Sequence, residues 1–243
     1  PEFNAETRKD KTSWILKLKR LNSLIQFKLD CLSMKKSLII QSVSLFQIKE
    51  MSELYNVNKK KIKLIYNIPL VSHFNVANES YNKDFDVIFI GRLAKKKGLS
   101  LLIDFANKML DKKILVIGGN DFFTTEDSIV IDKLISTPNI KVEKNVSELD
   151  LIKYIKKSKM LLVTSFGYES LPTVILESLI LGTEVLAPKS WGNVEVLEEH
   201  QLYKESDFND LIKNYLLLNK KERFKNSNIL EKIKESKLKL NQI

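Results

Sequence analysis

Two cations and two carboxylates carry the chemistry this sequence offers: Arg92 and Lys97 in GRLAKKKG, and Glu169 and Glu177 in YESLPTVILESLILGTEVLA. Guanidinium and ammonium groups grip phosphate oxygens, and carboxylates accept hydrogen bonds from sugar hydroxyls. Glu177 lies in a run that is otherwise apolar from Val174 to Leu181 apart from Ser178. Burying such a carboxylate without a partner is costly, and the vicinal hydroxyls of a ribose would satisfy it. Pro172 suits the first turn of a helix, with Ser170 or Leu171 as its cap. The N–H groups of Thr173 and Val174, at the positive end of the helix dipole, would then attract an anion such as phosphate. Gly91 and Gly98 flank the cations and let backbone approach closely. These groups could hold two phosphates, with Glu169 reading a transferred sugar and Glu177 a nucleoside.

Residues so far apart meet only if the fold gathers them. All 7 glycines fall between Gly91 and Gly192. In that region DVIFIG (86–91), KILVIG (113–118), NIKVE (139–143), KMLLVT (159–164) and TEVLA (183–187) read as buried parallel strands. The intervening GLSLLIDFANKML, EDSIVIDKLIS, SELDLIKYIKK and PTVILESLIL have helical spacing. The alternation predicts an α/β fold with a doubly wound, Rossmann-like parallel sheet. Ligands bind along the carboxyl edge of such a sheet. The loops GRLAKKKG, GGND, EKN, TSFGYESLP and PKSWGN would therefore form one site.

Upstream, SLIIQSV (37–43), LFQIKEMSELYN and KIKLIYN (61–67) form one more strand–helix–strand unit, and IPLVSHFNVANESYNK reads as a linker. The expected organisation is residues 1–69 as part of an N-terminal domain, a linker over 70–84, a ligand-binding domain over 85–218 and a basic helix over 219–243. PEF at 1–3 reads as a cloning scar and is set aside.

The net charge of +10 suggests nucleic acid until it is located. Residues 1–36 hold 9 basic and 4 acidic side chains and residues 219–243 hold 8 and 3, so the ends carry the whole excess. A duplex reader places its basic residues on its reading elements, so nucleic acid is not an expected partner. Cys31 stands alone and the only histidines are His73 and His200, which argues against a disulfide framework and a metal centre. No apolar run approaches the roughly 20 residues of a membrane span, and a cytoplasmic location is expected. SWILKLKRLNSLIQFKLDCL places Trp14, Leu18, Leu21, Ile25, Leu29 and Leu32 at helical spacing among basic residues. Such a face either packs on protein or lies peripherally on an anionic membrane.

Other residues carry weaker signals. Asp84 and Asp86 mimic a metal-binding acidic pair but enter the first strand, which favours a structural role. Gly118 and Gly119 are turn residues that could also line a nucleotide cleft. Trp191, Asn193 and Glu195 belong to the same edge, where loop packing explains them equally well. Lys95 and Lys96 read as solvated; Lys97 is preferred because it precedes Gly98. His73 falls in the linker and His200 at the end of a charged helix, and neither suits catalysis.

GRLAKKKG, followed by SFGYESLPTVILESLILGTEVLAP and WGNVEVL, resembles the C-terminal, donor-binding half of retaining GT-B glycosyltransferases (group 1), many of which build lipopolysaccharide and capsule. The resemblance extends over about residues 37–218. It implies that Arg92 and Lys97 contact the diphosphate of a UDP- or GDP-linked sugar, that Glu169 contacts the sugar and that Glu177 holds the ribose. Backbone N–H groups near Leu171, Pro172, Thr173 and Val174 would contact sugar or phosphate, and the base would lie near Lys144 and Asn145. Arg92, Lys97 and Glu169 would be the catalytic set. The nucleotide sugar is a substrate, no cofactor or metal is expected, and the acceptor would be a glycan or a lipid-linked glycan. The family's glycine after the first motif glutamate is Ser170 here, and its glycine after the third strand is replaced within VEKNV. Most of the family's acceptor-side domain has no counterpart in the first 69 residues. The resemblance therefore implies donor binding, with a noncatalytic nucleotide-sugar module as the alternative.

Overall fold

The computed structural model describes residues 23–67, 69, 80–119, 124–165, 169–205, 207–218, 231 and 235. Trp14, Leu18, Leu21 and His73, with nearly all of the expected basic helix over 219–243, lie outside the described residues. The chain divides into two compact units, one within Pro1–Ser42 and Gln47–Leu64, the other within Val43–Phe46 and Ile65–Ile243.

In the smaller unit residues 23–36 are helical. Strands β1 (Ile40–Ser42) and β2 (Ile62–Leu64) pair in parallel, with Ile40 beside Ile62. Helix α1 (Leu45–Leu54) connects them in sequence. The Lys61 ammonium donates to the carbonyls of Lys35 (2.9 Å) and Ser37 (3.2 Å), a cation placed where helix carbonyls lack partners. Of the expected apolar face, Ile25, Leu29 and Leu32 are exposed.

The larger unit holds a sheet built from β3 (Phe85–Ile90), β4 (Ile114–Ile117), β5 (Ile140–Glu143), β6 (Ser158–Leu162), β7 (Glu184–Pro188) and β8 (Leu202–Tyr203). Every pairing is parallel and the order is β5-β4-β3-β6-β7-β8. The chain works outward from β3 to β5, then returns to place β6 on the other side of β3. This is the doubly wound order, with its topological switch point between β3 and β6. The two-residue β8 is too short to show a period in sequence, and only its pairing with β7 defines it.

Helices α2 (Leu99–Lys108), α3 (Thr125–Ser136), α4 (Glu148–Lys156), α5 (Thr173–Ile180), α6 (Asn193–Val196) and α7 (Phe208–Leu218) fill the crossovers and the end of the unit. Alternate strand residues Val87, Phe89, Ile114, Val116, Met160 and Leu162 meet Leu102 and Phe105 of α2, Leu134 of α3 and Tyr215 of α7 in one core. Their neighbours Ile88, Leu115, Leu161 and Val185 point the other way and are equally buried. Both faces are thus covered, which explains why the strands read as continuous apolar runs. Each such aliphatic side chain contributes about 1.5–3 kcal/mol by leaving water. No described helix is long and apolar enough to cross a membrane.

Candidate functional site

The loop leaving β3 is fixed by contacts distant in sequence. Lys95–Lys97 form one 3-10 turn, and the Asp127 carboxylate accepts from the Lys95 N–H at 2.6 Å. Asp127 also closes the capping box of α3: it accepts from the Thr124 N–H (3.0 Å), and its own N–H donates to Thr124 Oγ1 (3.2 Å). The Lys95 N–H, then the Thr124 groups, hold the Asp127 carboxyl below its ordinary range. Gly98 ends the turn at φ 72°, and a Cβ there would lie 1.7 Å from the Thr164 carbonyl oxygen. Only glycine meets both demands. Thr164 Oγ1 in turn donates to the Lys97 carbonyl at 2.9 Å. The lysine turn is therefore fastened to the end of β6, across the switch point.

That fastening brings Lys97 to Glu169. The Lys97 ammonium and a Glu169 carboxylate oxygen form an ion pair, each side chain about one-fifth exposed. Burial pushes the Lys97 ammonium below its ordinary pKa range, and the charges of Arg92 and Lys96 push the same way. Glu169 supplies the opposing charge. Arg92 is exposed and has no hydrogen-bond or ion-pair partner among the described residues.

Helix α5 begins at Thr173. Pro172 occupies the N-cap position with φ −63° and ψ 125°, and no side chain caps the helix. Neither Ser170 nor Leu171 is the cap, contrary to the sequence expectation. Proline disfavours helical backbone in the residue before it, and its own ψ here is extended. Among the described residues, the N–H groups of Thr173 and Val174 have no acceptor. Asn67 Nδ2 donates to Thr173 Oγ1 (3.1 Å) and to the Leu171 carbonyl (3.5 Å), holding this end of the helix. Glu177 is half-buried, four residues beyond Thr173 and so on the same side of the helix. Its flank is less interior than the apolar run suggested, while Leu176 and Ser178 on either side are buried.

The remaining expected residues line the same edge in different ways. Gly91 would accept a Cβ with only ordinary contact to the Phe89 ring at 3.6 Å, so the protein's own packing does not require glycine there. Gly118 does require it, since a Cβ would lie 2.3 Å from the Gly91 carbonyl oxygen. Lys144 and Asn145 are exposed after β5, and Asn145 takes a left-handed φ of 53°. Asparagine tolerates that conformation better than most residues, so the turn survives the lost glycine. Ser170 is half-buried and Leu171 buried; a Cβ on Gly192 would lie 1.8 Å from the Ser170 carbonyl oxygen. The loop after β7 thus abuts the segment that follows Glu169. In that loop Trp191 is left-handed at φ 45°, a conformation costing about 1–3 kcal/mol outside glycine.

Glu195 has a clear task. Its carboxylate accepts from the N–H groups of Leu45 and Phe46, both at 2.8 Å, and from the Tyr66 hydroxyl at 3.3 Å. Burial, then the Glu195 charge, pushes the Tyr66 phenol up to about 12. Asp84 and Asp86 sit at the opposite edge of the sheet, paired with Lys157 (2.9 Å) and Lys159 (2.7 Å). His200 lies in a 3-10 turn, Glu199–Gln201, and not at the end of a helix as expected; the charged segment is too short for one. Sequence reasoning missed Asn67, Asp127 and Thr164. Each acts through a long-range hydrogen bond, and an isolated Asn, Asp or Thr carries no period that would reveal it.

A guanidinium and two helix N–H groups without partners among the described residues, beside an ammonium–carboxylate pair, suit a ligand that is anionic at one end and rich in hydroxyls at the other. Comparison with known proteins points the same way. Residues 73–234 match the family model described as glycosyl transferases group 1. An uncharacterized glycosyltransferase of Methanocaldococcus jannaschii is 24% identical over 186 residues, 70% of this chain, and the chain spans 47% of that relative. Among solved structures, Anabaena HepE in complex with UDP and glucose superposes with TM-score 0.68 at 16% identity, over 87% of this chain and 65% of that one. Sucrose-phosphate synthase of Thermosynechococcus elongatus gives 0.69 at 17%, over 90% and 60%. Staphylococcus aureus TarM, in complex with Fondaparinux, alpha-GlcNAc-glycerol and UDP, gives 0.68 at 18%, over 88% and 44%.

Proposed function

The chain belongs to the glycosyl transferases group 1 family, and from that premise we propose that its larger unit binds a nucleotide-activated sugar at the carboxyl edge of the sheet. The sugar passes to a glycan or lipid-linked acceptor with retention of anomeric configuration, in cell-envelope polysaccharide synthesis. The observation that carries this reading is the Lys97–Glu169 pair, which joins a phosphate-binding cation and a hydroxyl-binding carboxylate across the switch point. A donor diphosphate replaces Glu169 as the partner of Lys97 and frees the carboxylate for sugar hydroxyls.

As the bond between the anomeric carbon and the diphosphate oxygen breaks, its electron pair leaves with the diphosphate. Arg92, Lys97 and the N–H groups of Thr173 and Val174 stabilise the charge that develops there. Glu177 holds the ribose, and Lys144 and Asn145 border the base. The complexes of HepE and TarM make UDP the first nucleotide to test, and GDP the second. The chain spans about half of the curated relative it matches; donor binding is the activity assigned to this chain, and transfer to the protein in which an acceptor-binding domain accompanies it.

Thermal denaturation with UDP, GDP, UDP-glucose and GDP-mannose tests the reading. A ligand at 100 times its Kd stabilises the native state by about 2.7 kcal/mol, an expected rise of about 5–10 °C for a unit of this size. No rise with any of the four rejects it.

A further inference from the structure

The loop Lys189–Asn193 holds a strained residue to which diphosphate binding gives no task. The loop is rigid: the Ser190 N–H donates to the Pro188 carbonyl (2.8 Å), the Asn193 N–H to the Ser190 carbonyl (3.2 Å), and Asn193 Nδ2 to the Pro188 carbonyl (3.0 Å). Gly192 is pressed on the Ser170 carbonyl, so the loop cannot shift without moving the residue that follows Glu169. Within this frame Trp191 is held left-handed at φ 45°. A bulky residue in that conformation is an outlier, persisting only where its surroundings enforce it, and such outliers cluster at ligand clamps. The side chain is partly buried, and its indole N–H donates to no described residue. The strained backbone therefore carries a large side chain on a loop that abuts the segment following Glu169, with no hydrogen bond to a described residue as compensation.

We propose that Trp191 is a sugar-stacking residue, whose ring receives the apolar face of a pyranose held beside Glu169. This deepens the proposed function and rests on it. A pyranose has one face of C–H groups and an equatorial rim of hydroxyls. A partly exposed indole suits the face, because aromatic rings with one wet side favour ligands of mixed polarity, and a carboxylate suits the rim. The sugar belongs either to the donor or to the acceptor.

Trp14 and Trp191 are the 2 tryptophans of the chain, so a Trp14→Phe background makes Trp191 the sole emitter. In that background, emission is recorded with UDP, GDP, UDP-glucose, GDP-mannose, and lactose added to saturating UDP. The proposal expects a blue shift with a sugar-bearing ligand that bare UDP or GDP does not give. A shift with UDP-glucose or GDP-mannose assigns the donor sugar; one with lactose plus UDP assigns the acceptor. Trp191→Ala is expected to weaken binding of the responding sugar ligand about tenfold, with bare diphosphate affinity within about twofold of the parent. Trp191→Gly should lose the same sugar affinity yet melt about 2–4 °C above Trp191→Ala, because glycine adopts φ 45° freely. Unchanged Trp191 emission with every sugar, or unchanged sugar-ligand affinity in Trp191→Ala, overturns the proposal while diphosphate binding stands. If neither diphosphate raises the melting temperature, the nucleotide reading itself fails and this assignment falls with it.

Discussion

At the amino edge of the larger sheet, Asp84 is matched by Lys157, Asp86 by Lys159 and the Lys113 N–H, and Lys83 donates to the carbonyls of Lys156 and Ser158. At the carboxyl edge, among the described residues, Arg92 has no partner and the Thr173 and Val174 N–H groups have no acceptor, and Asn145 and Trp191 adopt left-handed backbone. One edge spends its polar groups on one another. The other leaves donors without described partners and holds strained backbone, the pattern expected of a binding edge. Acidic pairs at the first edge therefore concern folding, while the proposed function gives the cations at the second a task in binding.

Substitutions can break this contrast or sharpen it. The largest effect is expected at Gly98, where alanine meets both the left-handed φ and the Thr164 carbonyl. Gly98→Ala should cost about 2–6 kcal/mol in chemical denaturation, whereas Gly91→Ala stays within about 0.5 kcal/mol and weakens donor binding instead. Next, Arg92→Ala should lower sugar transfer about 100–1000-fold with an unchanged melting temperature, since its guanidinium has no hydrogen-bond or ion-pair partner among the described residues. A similar loss of turnover from Asp86→Asn would break the comparison.

Asp86→Asn is expected to cost only about 1 kcal/mol of stability and to leave donor affinity intact. Burial works to raise the Asp86 pKa, but Lys159, the Lys113 N–H and Lys112 prevail and hold it below the ordinary value. A lowered folded-state pKa means that this stabilisation is present above the unfolded value and is lost as pH falls through the folded one. The difference between wild type and Asp86→Asn should therefore shrink in acid-denaturation curves below about pH 4. The smallest effect lies at the opposite end of the scale. Tyr66, raised to about 12, contributes stability that is complete below pH 10 and fades as pH climbs through its folded value. Glu195→Gln should move the phenolate absorbance transition to lower pH.

Much of this was legible from sequence where periodicity or special residues spoke. Five of the six strands in the larger sheet announced themselves as apolar runs, and their shared edge followed from the parallel topology. Gly98 singles out Lys97 from Lys95 and Lys96 in the sequence, and in the structure that glycine turns the chain against Thr164. What was not legible depends on partners remote in sequence. Asn67 reaches Thr173, and Asp127 holds the lysine turn from the start of α3. The β8 strand, at two residues, exists only through β7. The start of α5 was misplaced because Pro172 is both the favoured first-turn residue and the one whose ψ can remain extended.

The clasp between Lys97 and Glu169 has a consequence for discrimination. Inorganic phosphate arriving alone would win the ammonium and strand the carboxylate; a free hexose would engage the carboxylate and strand the ammonium. Abandoning one half of a partly buried pair is unfavourable. Under the proposed function, only a molecule carrying both functions on one frame dissolves the contact without leaving an orphan, and the resting pair would work as a two-key lock.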